Sequence, residues 1–236
     1  QSYQIVQSLL AVANGGIIGR GPGLGSPLLV PVAISDFIYA AIAEETGLVG
    51  TMGLLALIWL ILARGLIASL RAADRFRRYL AAGVVTYLGI QSLLIIGGNL
   101  RLVPLTGVTL PFVSYGGSSL LTSFIALFIL LVISNMEDTE PAPLQDPKPY
   151  IFLAGILALG LAASALTTAW WAVYRGGDLL NRTDNPRRVI ADRYVPRGEL
   201  VDRNNQPISI TEGESGTYTR LYLYPQLAPI IFHNLV

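Results

Sequence analysis

VPVAISDFIYAAIAEETGLVG, residues 30–50, opens a long apolar run that continues to Leu62. The stretch places Asp36, Glu44 and Glu45 at the mouth and inside of that run. A charged side chain at the centre of a membrane helix is unfavourable by at least about 2.5–3.5 kcal/mol on insertion scales, so it is normally paired, hydrated or functional. The stretch therefore predicts a membrane helix with a polar site at its start.

The start of this helix allows two interpretations. Ser35 and Asp36 are favourable N-cap residues. If the helix begins there, Glu44 lies about 80° around the helix from Asp36 and roughly 12 Å deeper, so that both carboxylates border one polar cavity. In the alternative, Asp36 only caps the helix and the glutamates pair with a neighbouring arginine. The residues of this stretch alone leave both interpretations open.

Composition places the chain among membrane proteins. Hydrophobic residues make up 53% of the 236 residues and charged residues only 13%, which is unlike a soluble domain. The net charge of +1 gives no general attraction to nucleic acid, and no nucleic-acid partner is expected. The chain has no cysteine and one histidine, His233, which excludes disulfides, thiolate metal sites and histidine clusters.

Four apolar spans have about the 20 residues needed to cross a bilayer. We predict an all-α polytopic membrane protein with about four transmembrane helices, followed by a small extracytoplasmic segment that contains β-structure. In that segment, GTYTRLYLY favours a strand and RNNQP favours a tight turn, because asparagine tolerates the left-handed conformation. The spans are approximately residues 37–62, 79–98, 117–134 and 150–174.

The orientation follows from arginine. The connection between the first two spans is rich in arginine, and a short basic loop is cytoplasmic by the positive-inside rule. Alternation then places residues 1–36 and 99–116 outside, the linker 135–149 inside and the tail after Trp171 outside. The tail also contains arginines, but long polar segments are translocated largely regardless of charge. The arginines of the first connection are Arg64, Arg71, Arg75, Arg77 and Arg78.

Two glycine-rich loops are candidate anion sites. Glycines surround Arg20 in residues 15–25; they let the backbone approach a ligand closely, and Arg20 can contact a phosphate bidentately. The alternative is a flexible interfacial turn, since the lysine and hydroxyl residue of a P-loop are absent. In NLRLVPLTGVTLPFVSYGGSSLL, residues 99–121, Pro104 and Pro111 break any helix before Gly116–Ser119 open the third span. A helix N-terminus binds anions, and the alternative here is a structural re-entrant loop.

These motifs, with QSLLAVANGG before them, resemble the SEDS family of shape, elongation, division and sporulation proteins (FtsW, RodA and SpoVE) over about residues 1–135. Members polymerise lipid II, the undecaprenyl-pyrophosphate-linked disaccharide, into peptidoglycan glycan strands in the bacterial cytoplasmic membrane. The match has departures. Ile34-Ser35 stand where the family often has His-Thr, and the loop before Pro104 is shorter than in many members.

The resemblance implies roles for individual residues. The motif D-F-x-x-A-x-x-x-E-E-x-G places the family's essential aspartate at Asp36, as a base or as the ligand of a divalent cation such as Mg²⁺ or Mn²⁺. Glu44 would tune the cavity. The residues expected to bind substrate are Arg20, Arg101, Ser114, Gly116, Gly117 and Ser118, with the two arginines on the pyrophosphate leaving group.

The tail NPRRVIADRYVPRGELVDRNNQPISI, residues 185–210, resembles the opening of class B penicillin-binding proteins. That opening belongs to the pedestal next to the membrane, so the resemblance implies a fused transpeptidase partner. The implied domains are a SEDS part (1–135), a cytoplasmic acidic, proline-rich linker (136–149), an anchor helix (150–174) and a partial pedestal (175–236). The matching residues are Arg197, Gly198, Asp202, Arg203 and Asn204.

Two other functions fit the same residues. Buried carboxylates also suit a lipid II flippase or ion-coupled transporter, and a non-catalytic scaffold would use the pedestal only to recruit partners. The chain contains one lysine, Lys148, with no serine three residues before it. The Ser-x-x-Lys element of a penicillin-reactive transpeptidase is therefore absent from this sequence.

Overall fold

A computed structural model of the chain describes residues 2–25, 30, 33–135, 146–180, 198–214 and 218–224. The chain divides into two compact units, Gln1–Gly177 and Asp178–Val236. The first unit is helical, and the described part of the second consists mainly of three short strands. The predicted fold class is confirmed.

The helices of the first unit are α1 to α5. Helices α2, α3 and α4 and the segment Lys148–Tyr174 are each long and apolar enough to cross a membrane, so the four predicted spans are confirmed. Segment Lys148–Tyr174 joins α5 to a π-helical turn at Trp170–Tyr174, and a short helix, α6, follows at Gly176–Leu180. The long helices are α1 (Ser2–Gly15), α2 (Ile38–Arg71), α3 (Arg75–Asn99), α4 (Gly117–Ser134) and α5 (Lys148–Ala169).

The arginine-rich connection between the first two spans is mostly helix. Helix α2 continues to Arg71, and α3 begins at Arg75 after Asp74, whose carboxylate accepts the backbone N–H of Arg77 at 2.8 Å. An ion pair at 3.0 Å between Asp74 and the Arg77 guanidinium strengthens this cap. Hydropathy marks where the apolar span ends, but the backbone hydrogen bonds of a helix continue into the polar interface.

Helix α2 is interrupted at Gly47, which has φ 66° and ψ −163°. This conformation is easily reached only by glycine, and it removes the helical bonds that would join Leu48 and Val49 to Glu44 and Glu45. The glycine-rich loop after α1 supplies replacements for all four backbone groups. The bonds are Arg20 N to Glu44 O (3.0 Å), Gly21 N to Glu45 O (2.9 Å), Leu48 N to Gly16 O (2.9 Å) and Val49 N to Ile17 O (3.1 Å).

The loop approaches the helix closely. A Cβ atom at Gly47 would lie 2.3 Å from the backbone nitrogen of Gly19, and a Cβ at Gly19 would lie 2.2 Å from the carbonyl oxygen of Glu45. Gly19 also has a positive φ of 89°. The loop thus completes the hydrogen bonding of α2, and the choice between an anion site and an interfacial turn stays open.

Helix α5 packs with α2 and α3 in the first unit. The Tyr39 and Thr168 hydroxyls share a buried hydrogen bond of 2.7 Å. The Leu157 side chain occupies the space beside Gly89, and the Leu93 side chain occupies the space beside Gly160. Small residues that admit a neighbour in this way are typical of membrane helix interfaces. The four-part domain division stays a prediction, since the described contacts join α5 to the preceding helices.

The second unit contains an antiparallel sheet in the order β1-β2-β3, with β1 at Leu200–Val201, β2 at Pro207–Glu212 and β3 at Thr219–Tyr222. The predicted turn is confirmed: Asn205 has φ 64°, and its N–H donates to the Asp202 carbonyl at 2.8 Å. Strand β3 lies within the run predicted to favour β-structure.

The break in α2 makes a direct prediction. We expect Gly47→Ala to destabilise the protein by at least about 1–3 kcal/mol, because the left-handed φ and the collision with the loop both oppose a Cβ atom. Gly53→Ala is the matched control, since Gly53 is helical and has no neighbour within 4 Å of a Cβ position. Thermal unfolding midpoints in detergent measure the difference. Equal midpoints for the two variants would contradict this account of the break.

Candidate active site

Asp36 lies in a turn, residues 33–37, immediately before α2. The N-cap of α2 is Phe37, and no side chain of the cap residue bonds the helix. The predicted capping role of Ser35 and Asp36 is therefore wrong. The amide of Ala40 in the first turn donates instead to the Asn99 side-chain oxygen at 3.3 Å, so a residue of α3 caps α2.

The turn before α2 is joined to the loop that precedes α4. The Ser114 hydroxyl donates to the Ser35 carbonyl at 2.7 Å and accepts the Leu110 amide at 2.8 Å. The amide of Tyr115 donates to the Ile34 carbonyl at 2.9 Å. Ser114 is buried, and its hydroxyl hydrogen is already used. Ser114 therefore joins the two loops, whereas the sequence predicted that it contacts substrate.

The loop before α4, residues 104–116, is also fastened to two helices. The Gln91 side-chain amide of α3 donates to the Thr109 carbonyl at 2.8 Å. The Phe112 ring meets the Phe124 ring of α4 edge-on, with centroids 5.7 Å apart. Gly107 and Phe112 both have a positive φ, 67° and 65°. These contacts fix the course of a loop that has no regular secondary structure.

The Asp36 carboxylate faces this loop. Its Oδ2 atom lies 3.9 Å from the position that a Cβ atom of Gly107 would occupy, and Asp36 is partly exposed. Within the described part of the chain, no hydrogen bond or ion pair engages the carboxylate. An unengaged carboxylate beside a fixed loop is available to accept a proton or to bind a cation.

Arg101 ends α3 in an unusual backbone conformation. Its φ is 62°, and the bonds Arg101 N to Gly98 O (3.3 Å) and Leu102 N to Gly97 O (2.8 Å) form a Schellman motif. The left-handed position of that motif usually belongs to glycine. Arg101 is exposed, and it follows by two residues the Asn99 side chain that contacts the Asp36 carbonyl at 2.7 Å. A strained residue beside a candidate site supports a functional role.

Glu44 and Arg20 are linked through Asn14. Glu44 is fully buried, and its Oε1 accepts the Asn14 side-chain amide at 2.8 Å. The Arg20 guanidinium is exposed and donates to the Asn14 side-chain oxygen from Nη2 at 2.7 Å and from Nε at 3.1 Å. Asn14 was not among the residues predicted from the sequence. Its only signal was a polar residue in the last turn of α1, directly before the glycine loop.

The two predicted carboxylates thus have different surroundings. Asp36 faces Gly107, whereas Glu44 bonds to Asn14. The described contacts contain no direct hydrogen bond between the two carboxylates. A single cavity shared by Asp36 and Glu44 stays a prediction.

The N-terminus of α4 lies on the same loop. Gly116 is its N-cap without a side-chain cap bond, and Gly117 and Ser118 are exposed. The hydroxyls of Thr109 and Ser119 share a short hydrogen bond that ties the loop to the first turn. The first turn of α4 is thus exposed, and anion binding at this helix N-terminus stays a prediction.

The described residues contain no group of three or more His, Cys, Asp or Glu side chains that could hold a metal ion. No site closed by three such side chains is thus present among the described residues. Mg²⁺ is often bound by one or two carboxylates together with water and substrate phosphates. Asp36 fits this second type of site.

The residues that match the penicillin-binding-protein pattern lie near the turn between β1 and β2. Asp202 begins the turn; its N–H donates to the Gln206 carbonyl at 2.7 Å, and its carboxylate accepts the Arg203 amide. Asn204 follows in the turn, and Gly198 precedes β1. Arg197 lies outside the described residues. The described part of the motif thus shapes a hairpin.

Comparison with known proteins decides the family. The model of the cell cycle protein family that contains FtsW, RodA and SpoVE matches residues 1–139, more than half of the chain. The chain belongs to this family. With four helices among the described residues that are long and apolar enough to cross a membrane, this FtsW/RodA/SpoVE protein is a multi-pass protein of the cytoplasmic membrane.

Similar proteins carry names from peptidoglycan synthesis. Peptidoglycan glycosyltransferase RodA of Mycobacterium bovis is 51% identical over 133 residues, which cover 56% of this chain and 28% of the relative. The RodA of Mycobacterium leprae is 49% identical over 133 residues, covering 56% and 29%. The probable peptidoglycan glycosyltransferase FtsW of Geobacter metallireducens is 46% identical over 141 residues, covering 59% and 38%. The chain thus spans well under half of each relative.

The conformation of Arg101 makes a prediction about stability. We expect Arg101→Gly to raise the free energy of unfolding by about 0.5–1 kcal/mol, because glycine adopts the left-handed position without a Cβ penalty. Arg101→Ala keeps that penalty and should give no such gain. Unfolding midpoints of the two variants in detergent test the prediction. An equal gain from alanine would show that the charge, rather than the backbone, is the source of the strain.

Proposed function

We propose that the full-length protein polymerises lipid II into peptidoglycan glycan strands. The observation that carries this proposal is the Asp36 carboxylate beside the Gly107 loop, which no described residue engages by a hydrogen bond or ion pair. The names of the relatives, peptidoglycan glycosyltransferases, support it. Arg101 and the first turn of α4 are exposed, and they follow closely after Asn99 and Tyr115, which bond the Asp36 and Ile34 carbonyls. Both suit a substrate that carries a pyrophosphate.

The reaction joins two sugars and releases a pyrophosphate. The acceptor hydroxyl loses its proton to Asp36 while its oxygen forms a bond to the anomeric carbon of the donor. The bond from that carbon to the pyrophosphate oxygen breaks, and the leaving group keeps the electron pair. Arg101 then stabilises the negative charge that develops on the departing oxygen.

Arg20 and Glu44 act beside this step. Two of the Arg20 nitrogen atoms donate to Asn14, and a guanidinium has five N–H donors, so others remain for a substrate phosphate. The Glu44 carboxylate orients the Asn14 amide from the buried side. Glu44 therefore supports the position of Arg20 and does not take the proton.

A divalent cation such as Mg²⁺ or Mn²⁺ fits this site as part of the proposal. Asp36 would hold it together with the pyrophosphate oxygens, and the cation would neutralise charge on the leaving group. The roles of base and of metal ligand for Asp36 remain two versions of the same proposal.

We also infer a class B penicillin-binding-protein transpeptidase as the fused partner. The motif from Gly198 to Asn204 and the apolar α5 before it match an anchor followed by a pedestal. The contacts of α5 with Tyr39, Gly89 and Leu93 support an anchor that docks on the glycosyltransferase helices. The described tail would then lie outside the cytoplasm.

The chemical prediction concerns Asp36. In the full-length protein, Asp36→Asn should reduce glycan polymerisation by about 100-fold or more, because an amide can neither accept the proton nor bind a cation as a carboxylate does. Glu44→Gln should have a milder effect, since the amide preserves most of the side-chain shape. Polymer formed from purified lipid II in detergent is the measurement.

This assay also separates enzyme from flippase, because flipping needs a bilayer and leaves lipid II unpolymerised. Expression level and detergent gel filtration of each variant serve as folding controls. Near-normal polymer from the Asp36→Asn protein would refute the catalytic role. Absence of polymer from the unaltered protein, with retained partner binding, would favour the scaffold.

The orientation makes a second prediction. We expect the turn between α2 and α3 to face the cytoplasm and the β-sheet to face outward. The chain has no cysteine, so Ala73→Cys and Glu212→Cys each introduce one label site, at a partly exposed and an exposed position. A membrane-impermeant maleimide should label Glu212→Cys in intact cells or spheroplasts and Ala73→Cys only after permeabilisation. Labelling of Ala73→Cys from outside would overturn the orientation.

A further inference from the structure

We infer that Asn99 is a positioning residue that keeps the Asp36 carboxylate free by capping α2 in its place. The structural part of this inference stands on hydrogen bonds. Its consequence for catalysis rests on the proposed function of Asp36.

Asn99 is fully buried, and its side chain bonds three backbone groups. Its amide nitrogen donates to the Asp36 carbonyl at 2.7 Å and to the Ile95 carbonyl at 2.8 Å. Its oxygen accepts the Ala40 amide at 3.3 Å. Both donors and one acceptor position of the side chain are thus used. The residue acts as a bridge between the end of α3 and the start of α2.

The first turn of a helix leaves backbone amides without partners. Aspartate is among the best residues for accepting them, and Asp36 stands one residue before the present N-cap, Phe37. Extension of α2 by one residue would make Asp36 the N-cap and turn its carboxylate toward the helix amides. The Asn99 side-chain oxygen accepts one of these helix amides. The Asn99 side-chain amide holds the Asp36 carbonyl outside the helix.

In α3 of the same chain, an aspartate side chain does cap its helix. Asp74 is its N-cap, and the Asp74 carboxylate accepts the Arg77 amide at 2.8 Å. Asp74 is the N-cap of α3, and Asp36 lies one residue before the N-cap of α2. Asp74 is used as a cap and Asp36 is not, and at the start of α2 the Asn99 side chain accepts the Ala40 amide.

Asn99 is itself held firmly in position. Its carbonyl accepts the Ser8 hydroxyl of α1 at 2.9 Å. The Schellman motif that places Arg101 follows directly after it. One buried amide therefore fixes the turn that carries Asp36 next to the helix end that carries Arg101, which are the proposed base and the proposed leaving-group partner.

The experiment measures the carboxylate directly. Full-length protein in detergent is treated with a water-soluble carbodiimide and glycine ethyl ester, and mass spectrometry gives the modification rate of Asp36 relative to Asp74. Asn99→Ala should lower this ratio several-fold, because the released helix amides recruit Asp36. Ser92→Ala is the matched control: Ser92 is buried in α3 and bonds only the Leu88 carbonyl of its own helix. Its ratio should equal that of the unaltered protein.

Asn99→Asp is the conservative variant, and it tests the capping role if the Asn99→Ala protein does not fold. It keeps an acceptor for the Ala40 amide and loses both amide donors, so Asp36 should retain most of the labelling ratio of the unaltered protein. In the polymerisation assay, Asn99→Ala should lower kcat by about 10-fold or more with KM changed by less than about 3-fold, because positioning of a base acts on the chemical step. Asn99→Asp should recover a measurable part of kcat.

The labelling and kinetic results separate the two levels of the inference. An unchanged Asp36 labelling ratio in a folded Asn99→Ala protein, or a ratio lowered several-fold in Asn99→Asp, overturns the capping role whatever the activity. A lowered ratio with unchanged kcat in Asn99→Ala overturns the positioning role. Retained activity in Asp36→Asn defeats the proposed function, and the labelling ratio then still decides whether Asn99 frees the carboxylate.

Discussion

The glycine-rich loop inserted into the break of α2 is the constraint on which the first unit depends. A helix in an apolar environment cannot leave backbone amides and carbonyls without partners. At Gly47 the loop supplies four replacement hydrogen bonds. The same bonds bring α1 against the first part of α2, so that Asn14 and Arg20 meet the buried Glu44. The break in α2 thus brings the polar side chains of Asn14, Arg20 and Glu44 together in one hydrogen-bonded group.

The candidate site is built mainly by backbone groups and buried amides. Ser114 joins the Asp36 turn to the loop before α4, and Asn99 joins the same turn to the end of α3. Both side chains are buried, where an unmade hydrogen bond is unfavourable and a satisfied one fixes geometry. The charged residues expected to act on substrate, Arg20, Asp36 and Arg101, are partly or fully exposed. Buried amides and hydroxyls thus fix the geometry, and the exposed charges remain for substrate.

Hydropathy and sequence motifs were sufficient to predict the membrane spans, the family and the turn at Asn205. Apolar length and asparagine's tolerance of positive φ are local properties of the sequence. They were not sufficient for the break at Gly47, since a glycine within an apolar helix equally favours close packing. The capping prediction for Asp36 failed for a related reason. N-cap propensity considers only side chains that are near in sequence, whereas the amide of Ala40 donates to the side chain of Asn99, 59 residues away in the chain. The resemblance implied that Ser114 binds substrate, but its tertiary contacts bury it.

The packing of α5 on α2 and α3 has a consequence for association in the membrane. Its described contacts are modest: one buried hydrogen bond between Tyr39 and Thr168, and leucine side chains beside Gly89 and Gly160. Because α5 follows α4 in one polypeptide, docking is intramolecular, and a short link gives an effective concentration on the order of millimolar. A weak interface is then occupied most of the time. Two separate chains at ordinary membrane densities would need a tighter interface to reach the same occupancy.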